Sequence, residues 1–317
     1  MTWLVTGGAG YIGAHLVHAL REAGTEVVVL DDLSTGLAER LPEDVPIERG
    51  TLLDPHALDR TFGMHAVSGV AHLAAKKRVD ESLDEPLTYY RENVEGLRLL
   101  LERCAAAGVA SFLFSSSAAV YGDSVVIPID EEVRCVPVNP YGHTKLAGEW
   151  LTHAVGAVAG MRTLALRYFN VAGTASAGLA DAHADNLVPL VLGAIRRGEP
   201  PQIFGDDYPT PDGTCIRDYV HVADVADAHV AAVRALERGN LGTVSTLNIG
   251  TGRGVSVREI VDLSLKITGS DLEAVVTPRR RGDPSAVVAD VHRAAEALRW
   301  RARRDVSDMV ESAWAVV

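Results

Sequence analysis

The sequence predicts an α/β protein with a doubly wound parallel sheet and a second, smaller mixed α/β domain. Short apolar segments alternate with longer helical patterns over roughly the first half of the chain. Strands that are apolar throughout are buried on both faces, which is typical of a parallel sheet covered by helices on both sides. A glycine-rich turn also joins the first apolar segment to the first helical pattern, as in nucleotide-binding sheets of this class.

The apolar segments that predict strands are 4–5, 27–30, 70–73, 112–114 and 163–166. Three helices are expected between them, each ending at or beside a glycine, at 13–23, 83–107 and 141–160. After residue 170 the pattern changes to a helix at 187–197 followed by shorter mixed elements. We therefore divide the chain into domains 1–169 and 170–317, and expect the segment near 220–238 to return and pack on the first domain.

Composition limits the classes of partner. The 317 residues include 42 acidic and 30 basic side chains, a net charge of −12, which disfavours binding to nucleic acid or to a membrane surface. The sequence shows no apolar stretch near the roughly 18 residues of a membrane span. The cysteines Cys104, Cys135 and Cys215 lack the spacing of a metal or redox motif. We expect a cytoplasmic protein that has no metal and binds a small molecule.

The glycine-rich turn predicts a dinucleotide site. Gly7, Gly10 and Gly13 follow the first strand and begin the first helix. Glycines at this spacing let the backbone approach a diphosphate at the helix N-terminus. Asp31 follows at the end of the second predicted strand, where a carboxylate can accept hydrogen bonds from the adenosine ribose. The acid disfavours the additional phosphate of NADP, so the pattern predicts NAD.

A serine, a tyrosine and a lysine form the candidate catalytic set. Ser117 ends a predicted strand, and Tyr141 and Lys145 lie four residues apart on one face of the next helix. One cation about 4 Å from a phenol is worth about 4 kcal/mol at an effective dielectric of 20, or about three pKa units. We therefore expect Lys145 and a nicotinamide cation to make Tyr141 a general base at neutral pH, with Ser117 as its hydrogen-bonded intermediary.

Two helices carry more apolar side chains than one sheet can cover. The helix at 141–160 is apolar nearly all round, and Leu97, Leu99, Leu100 and Leu101 give the preceding helix a similar excess. One interpretation is a homodimer with a four-helix interface. The other is a thick local core that buries both helices within one chain.

These motifs resemble those of the extended short-chain dehydrogenase/reductase superfamily, and within it the UDP-glucose 4-epimerase family. The similar segments run nearly end to end and include VTGGAGYIG at 5–13, SSSAAVYG at 115–122, NPYGHTK at 139–145, RYFNVAG at 167–173 and IFGDDYPTPDGTCIRDYVHV at 203–222. The resemblance implies a Rossmann-type sheet, tightly held NAD and a UDP-sugar substrate. It also implies inversion at C4 of the sugar through a 4-keto intermediate, without net oxidation.

The resemblance assigns further residues to each end of the site. Near the cofactor it implies Tyr11, Ile12, Leu52, Lys77, Asn93, Ser115, Tyr168 and Phe169, in addition to Tyr141 and Lys145. Around the UDP-sugar it implies Ser117, Asn170, Asn186, Leu187, Phe204, Arg217, Tyr219, Arg280, Asp283 and Val287.

Three positions refine the expected substrate. Val287 stands where the family gates sugar size, and a valine implies that UDP-GlcNAc and UDP-GalNAc are accepted as well. Ala118 and Ala119 stand where related dehydratases need an Asp-Glu pair, which disfavours dehydration. Two alternatives stay open: a 4-epimerase of a UDP-pentose or UDP-uronate, and a catalytically silent NAD-binding sensor.

Overall fold

The computed structural model describes residues 1–124, 126–181, 186–242, 245–280 and 283–316. Its strands, in chain order, are β1 (Thr2–Thr6), β2 (Glu26–Asp31), β3 (Ile47–Arg49), β4 (Val67–His72), β5 (Ser111–Ser117), β6 (Arg162–Tyr168), β7 (Asn170–Ala172), β8 (Gln202–Phe204), β9 (Ile216–His221), β10 (Thr246–Ile249), β11 (Gly254–Ser256), β12 (Val275–Thr277) and β13 (Ala286–Val287). Its α-helices are α1 (Tyr11–Glu22), α2 (Pro55–Met64), α3 (Val79–Asp84), α4 (Pro86–Tyr90), α5 (Gly96–Ala107), α6 (Pro140–Ala159), α7 (Leu187–Arg196), α8 (Val222–Arg238), α9 (Val257–Thr268), α10 (His292–Leu298) and α11 (Val306–Trp314).

A seven-stranded parallel sheet forms the centre of the molecule, in the order β10-β6-β5-β4-β1-β2-β3. Alternate residues of its strands enter different cores: Val27 and Val29 pack with α1 and α8, whereas Val28 and Leu30 pack with α5. The sheet is thus covered on both faces, which explains the continuous apolar segments. The predicted α/β class with a doubly wound parallel sheet is confirmed.

The strand order also locates the ligand crevice. From β1 the chain proceeds to β2 and β3 on one side, and then returns to place β4 on the other side of β1. In open α/β sheets, ligands bind outside the carboxyl ends of the strands at such a switch point. The loops after β1, β4 and β5 therefore meet at one place.

The helical segment predicted at 83–107 is interrupted. α3 ends at Asp84, and Pro86 begins α4, because proline lacks an N–H and restricts the residue before it. A π-helical turn then occupies Arg91–Glu95 before α5 begins. The helix α2 was not predicted, although Asp54 caps it and Pro55 occupies its first turn.

Smaller strands form the second layer. β9 pairs with β11, β13 and β7, and a separate parallel pair joins β8 to β12. The helices α7, α9 and α11 pack around this layer through an apolar cluster that includes Leu192, Ile260 and Met309. Among the described residues, no helix has the length and apolar character needed to cross a bilayer. The cytoplasmic location stays a prediction.

Two elements from the later part of the chain belong with the large sheet. Val225, Ala228 and Ala232 of α8 share a core with Leu16 and Leu20 of α1. β10 pairs with β6 and extends the sheet at that edge. The division of the chain at residues 169 and 170 stays a prediction, and the strand contributed by 246–249 was not anticipated.

The leucines of α5 do not form the apolar excess from which a dimer interface was inferred. Leu97, Leu100 and Leu101 are buried within the chain, where they pack on the large sheet. The interpretation of these three side chains as a surface excess is wrong, because α5 turns that face inward. Exposed apolar side chains on the neighbouring helices α4 and α6 include Leu87, Trp150 and Val158.

Candidate active site

A cleft of about 940 Å³ opens at the carboxyl edge of the large sheet, between that sheet and the second layer. Most of the residues singled out in the sequence line it: Gly7, Gly10, Tyr11, Ile12, Gly13, Asp31, Leu52, Lys77, Ser115, Ser117, Tyr141, Lys145, Tyr168, Phe169, Asn170, Asn186, Arg217, Asp283 and Val287. Five others are not part of its lining, namely Asn93, Leu187, Phe204, Tyr219 and Arg280. The structure therefore brings together residues from both halves of the chain.

The turn after β1 has no room for side chains. A Cβ added to Gly13 would lie 2.1 Å from the Gly7 carbonyl oxygen, and one added to Gly7 would lie 2.7 Å from the Ala74 nitrogen. Gly7 also has a φ of +70°, in the left-handed region that favours glycine. The backbone at the start of α1 is consequently exposed to the cleft, as an anion site requires.

The carboxylate of Asp31 is fixed by two backbone groups. Its oxygens accept hydrogen bonds from the N–H groups of Ala9 and Leu33, each at 2.9 Å. Burial raises the pKa of Asp31, and these two hydrogen bonds oppose that rise. The side chain is thus held at the end of β2 beside the glycine-rich turn, where it faces the cleft.

The N-terminus of α6 places the candidate catalytic tyrosine. Asn139 caps the helix, accepting a hydrogen bond from the Gly142 N–H at 2.8 Å, and Pro140 occupies the first turn. Tyr141 follows immediately. One turn later, the Lys145 ammonium donates to the Ser115 carbonyl oxygen at 2.8 Å and lies 5.9 Å from the centre of the Tyr141 ring. The end of β5 and the start of α6 thus bring Ser117, Tyr141 and Lys145 to one side of the cleft.

The pKa values of this group differ from the expectation. Burial raises the pKa of Tyr141, while a hydrogen bond with Ser117 lowers it. Burial lowers the pKa of Lys145 to about 8, and the nearby Glu149 carboxylate acts in the opposite direction. The sequence argument counted the cations near the phenol but omitted the cost of removing its charged form from water. In the protein without cofactor, the pKa of Tyr141 is therefore not lowered toward neutral pH.

A buried polar network supports the catalytic side from behind. Glu149 accepts hydrogen bonds from the Ser116 hydroxyl and from two nitrogens of Arg167, the latter at 2.7 and 2.8 Å. Arg167 also donates to the Tyr121 hydroxyl, which in turn donates to Asn248. These contacts join β5, α6, β6 and β10 directly beneath the cleft. The sequence analysis did not single out Glu149 or Arg167.

Tyr168 is held by a histidine from α8. His229 Nδ1 lies 2.7 Å from the Val225 carbonyl oxygen, so this nitrogen donates and Nε2 is left to accept a hydrogen bond from the Tyr168 hydroxyl. Burial lowers the pKa of His229 to about 4, and the imidazole is therefore neutral. This contact fixes Tyr168 in the wall of the cleft.

Asn93 acts on the cleft indirectly. Its side chain accepts from the Lys76 N–H at 2.8 Å and donates to the Lys76 carbonyl and the Thr144 hydroxyl. It lies in the π-helical turn 91–95, a local distortion that is common at functional sites. The residue thus positions the segment that carries Lys77 and does not itself face the cleft.

The far end of the cleft carries the residues assigned to the UDP-sugar. Arg217 on β9 lies 3.7 Å from the Asp283 carboxylate, and Val287 is its register partner on β13. The Arg280 guanidinium lies 4.0 Å above the ring of Phe204, outside the cleft lining.

Leu187 and Tyr219 pack in the core of the second layer. Neither lines the cleft. Their roles toward the substrate stay predictions.

Comparison with known proteins agrees with this geometry. Residues 3–250 match the model of the NAD dependent epimerase/dehydratase family. The chain belongs to this family. It is also 46% identical over 309 residues to a UDP-glucose 4-epimerase of Azospirillum brasilense, an alignment that covers 96% of this chain and 88% of the relative.

Solved structures give the same result. A UDP-glucose 4-epimerase of Stenotrophomonas maltophila, with bound NAD and formylated UDP-arabinopyranose, is 37% identical with a TM-score of 0.94 and covers 100% and 97% of the two chains. The UDP-Glc/GlcNAc 4-epimerase of Campylobacter jejuni is 33% identical with a TM-score of 0.86 and covers 99% and 98%. Both similarities extend over the whole cleft.

The cofactor of the epimerase/dehydratase family fits the residues present. The glycines leave backbone N–H groups open at the start of α1 for a diphosphate, and Asp31 is oriented for an adenosine ribose. Among the described residues, no cluster of His, Cys, Asp or Glu could hold a metal ion. NAD is accordingly the cofactor for which this chain is built.

Proposed function

We propose that this protein interconverts UDP-glucose and UDP-galactose by inverting C4 of the sugar, with NAD as a recycled reagent. The observation that carries the proposal is the position of Ser117, Tyr141 and Lys145 between the glycine-rich turn at one end of the cleft and Arg217 at the other. A sugar linked to a diphosphate held near Arg217 would reach the phenol beside the nicotinamide end of the cofactor site. No Asp-Glu pair follows Ser117 that could remove water.

The glycine-rich turn and Asp31 would hold NAD, which would supply the acceptor and donor of the C4 hydride. The chain supplies the proton chemistry. Tyr141 accepts the proton of the 4′-hydroxyl and gives it back after the 4-keto sugar has presented its other face. Ser117 donates to or accepts from the reacting oxygens, and Lys145 is the cation that stabilises the phenolate. Since burial opposes ionisation of Tyr141, the base depends on positive charge near the phenol.

A second pair of substrates follows from the size of residue 287. Val287 lines the cleft, and its side chain leaves more room than an aromatic residue would. The Campylobacter jejuni relative is named as an epimerase of both UDP-Glc and UDP-GlcNAc. We include UDP-GlcNAc and UDP-GalNAc among the proposed substrates.

The test is to purify the protein without added cofactor, release bound nucleotide with acid, and incubate the native enzyme with UDP-galactose while UDP-glucose is followed. Retained NAD with conversion in the absence of added cofactor supports the proposal. Tyr141→Phe is the matched control, because it removes only the hydroxyl and should keep NAD. Bound NAD without conversion would favour another UDP-sugar or the silent sensor, and neither NAD nor conversion would contradict the proposal.

We further propose that the protein is a homodimer through α4 and α6. Leu87, Trp150 and Val158 on these contacting helices are 84%, 66% and 91% exposed. Large apolar side chains exposed on neighbouring helices favour an interface with another chain. Trp150→Glu should shift the sedimentation coefficient to that of a monomer, and an unchanged value would contradict this interface.

A further inference from the structure

Arg40 is a buried cation that forms no salt bridge with a described residue. The residue lies in the short 3-10 turn Ala38–Arg40, and only 4% of its surface is exposed. Its guanidinium donates to the Ala180 carbonyl oxygen at 2.5 Å, while its Nε has no hydrogen-bond partner. The salt bridges among residues 1–124, 126–181, 186–242, 245–280 and 283–316 do not include Arg40. A buried charge without a partner is costly, which indicates that an anionic ligand completes this site.

The backbone around Arg40 is packed against the glycine-rich turn. The Leu37 N–H donates to the Ala9 carbonyl oxygen at 3.0 Å, and the Arg40 N–H donates to the Leu37 carbonyl oxygen at 3.1 Å. The Arg40 carbonyl oxygen bonds to His18 of α1 at 2.9 Å. The segment therefore runs alongside α1, with its beginning at the turn that precedes the helix.

The side chain reaches the cleft at the N-terminus of α1. Arg40 lines the same cleft as Gly10 and Tyr11. Burial and the Asp181 carboxylate raise the pKa of the Tyr11 phenol, and the positive charge of Arg40 lowers it. The N-terminus of a helix after such a turn is where a dinucleotide diphosphate binds. Arg40 and the start of α1 thus line one cleft.

We propose that Arg40 binds the diphosphate of NAD. A guanidinium offers planar donors that match phosphate oxygens, and here Nε is available as one of them. The diphosphate would in turn supply an acceptor for the unpartnered Nε. Because the same guanidinium bonds to Ala180, the contact also connects the cofactor to the segment after β7. The inference rests on the NAD cofactor of the family and is independent of which sugar is converted.

The test compares Arg40→Met with Arg21→Met. The control also removes a cation on the α1 side of the molecule, but Arg21 is part of an exposed ion pair with Asp44. NAD retained after purification and its rate of loss are measured, and nucleotide-depleted proteins are titrated with ADP, adenosine and UDP. Arg40→Met should release NAD and bind ADP on the order of 10- to 100-fold less well. Its affinities for adenosine and UDP, and all values for Arg21→Met, should match the wild type.

Thermal unfolding of the nucleotide-depleted proteins separates this role from a structural one. If Arg40 awaits an anion, methionine removes an uncompensated buried charge, and the melting temperature of depleted Arg40→Met should equal or exceed that of the wild type. A lower melting temperature, failure of the variant to fold, or equal loss of ADP and adenosine affinity would each overturn the proposal. None of these measurements uses UDP-galactose conversion, so their failure is distinguishable from failure of the proposed function.

Discussion

The pH dependence of stability at His229 offers a quantitative test of the contacts behind the cofactor site. His229 is fully buried on α8, with Nδ1 donating to Val225 and Nε2 accepting from Tyr168. A proton on Nε2 would abolish the bond from the Tyr168 hydroxyl and leave a charge in the core. Burial lowers the pKa of the imidazole from 6.5 to about 4 on folding, and the hydrogen bond to Val225 acts in the opposite direction.

The sign of the effect follows from linkage. Because the folded-state pKa lies below the unfolded value, the unfolded chain takes up this proton first as the pH falls. Stability from this site is complete above about pH 6.5 and is lost progressively toward about pH 4. Between about pH 7 and about pH 5, one such histidine accounts for about 2 kcal/mol of the free energy of unfolding. Glutamine does not titrate, so His229→Gln should remove this contribution.

The assay is urea unfolding of the wild type and His229→Gln at these two pH values. As the pH is lowered, the free energy of unfolding should fall by about 2 kcal/mol more in the wild type than in the variant, whatever the variant's stability at neutral pH. Other buried histidines, such as His15 and His72, titrate in both proteins and cancel in the difference. Equal losses in the two proteins would refute the neutral imidazole and the hydrogen bond assigned to it.

Three further predictions concern the cleft. Gly13→Ala should reduce retained NAD at least about ten-fold, because its methyl group meets the Gly7 carbonyl oxygen. In the control Gly63→Ala the added Cβ meets open space, and this variant should retain NAD. Equal NAD contents in the two variants would contradict the assignment of the glycine-rich turn as the cofactor site. Lys145→Met should lower kcat for UDP-galactose by about 100- to 1000-fold in steady-state assays, since the chain loses its cation beside the phenol; an unchanged kcat would remove Lys145 from the mechanism. Val287→Tyr should abolish conversion of UDP-GlcNAc and spare that of UDP-glucose, and a wild type inactive on UDP-GlcNAc would disprove the gate.

Patterns within short stretches of sequence predicted the strands and helices that carry a clear apolar pattern of their own. The strands β1, β2, β4, β5 and β6 and the helices α1, α6 and α7 were expected within a few residues, because buried strands and helical periodicity are visible in short windows. β10 was not expected in the large sheet. Its pairing joins Thr246 to Ala165, and a four-residue segment carries no information about so distant a partner.

The candidate site, like the fold, was predicted only where a local sequence motif marks its residues. Glycine spacing and the four-residue separation of Tyr141 and Lys145 predicted positions that do line the cleft. Arg40 was missed because it belongs to no motif, and its burial arises only when the turn after β2 packs on α1. The raised pKa of Tyr141 was missed for a related reason, since desolvation depends on the surrounding fold and not on residue spacing.

The return of the chain to its first sheet has a consequence for biosynthesis. β6 ends at Tyr168, and its neighbour β10 ends at Ile249, 81 residues later. At ribosomal rates of about 5–20 residues per second, this interval lasts about 4–16 s. Throughout it, the main-chain groups along one edge of β6 have no strand beside them. Until α8 is made, at Arg238, the face of α1 that it covers is bare as well. The nascent protein thus passes through a stage with an open sheet edge, the state most prone to pair with a neighbouring chain, which only translation of the last third can end.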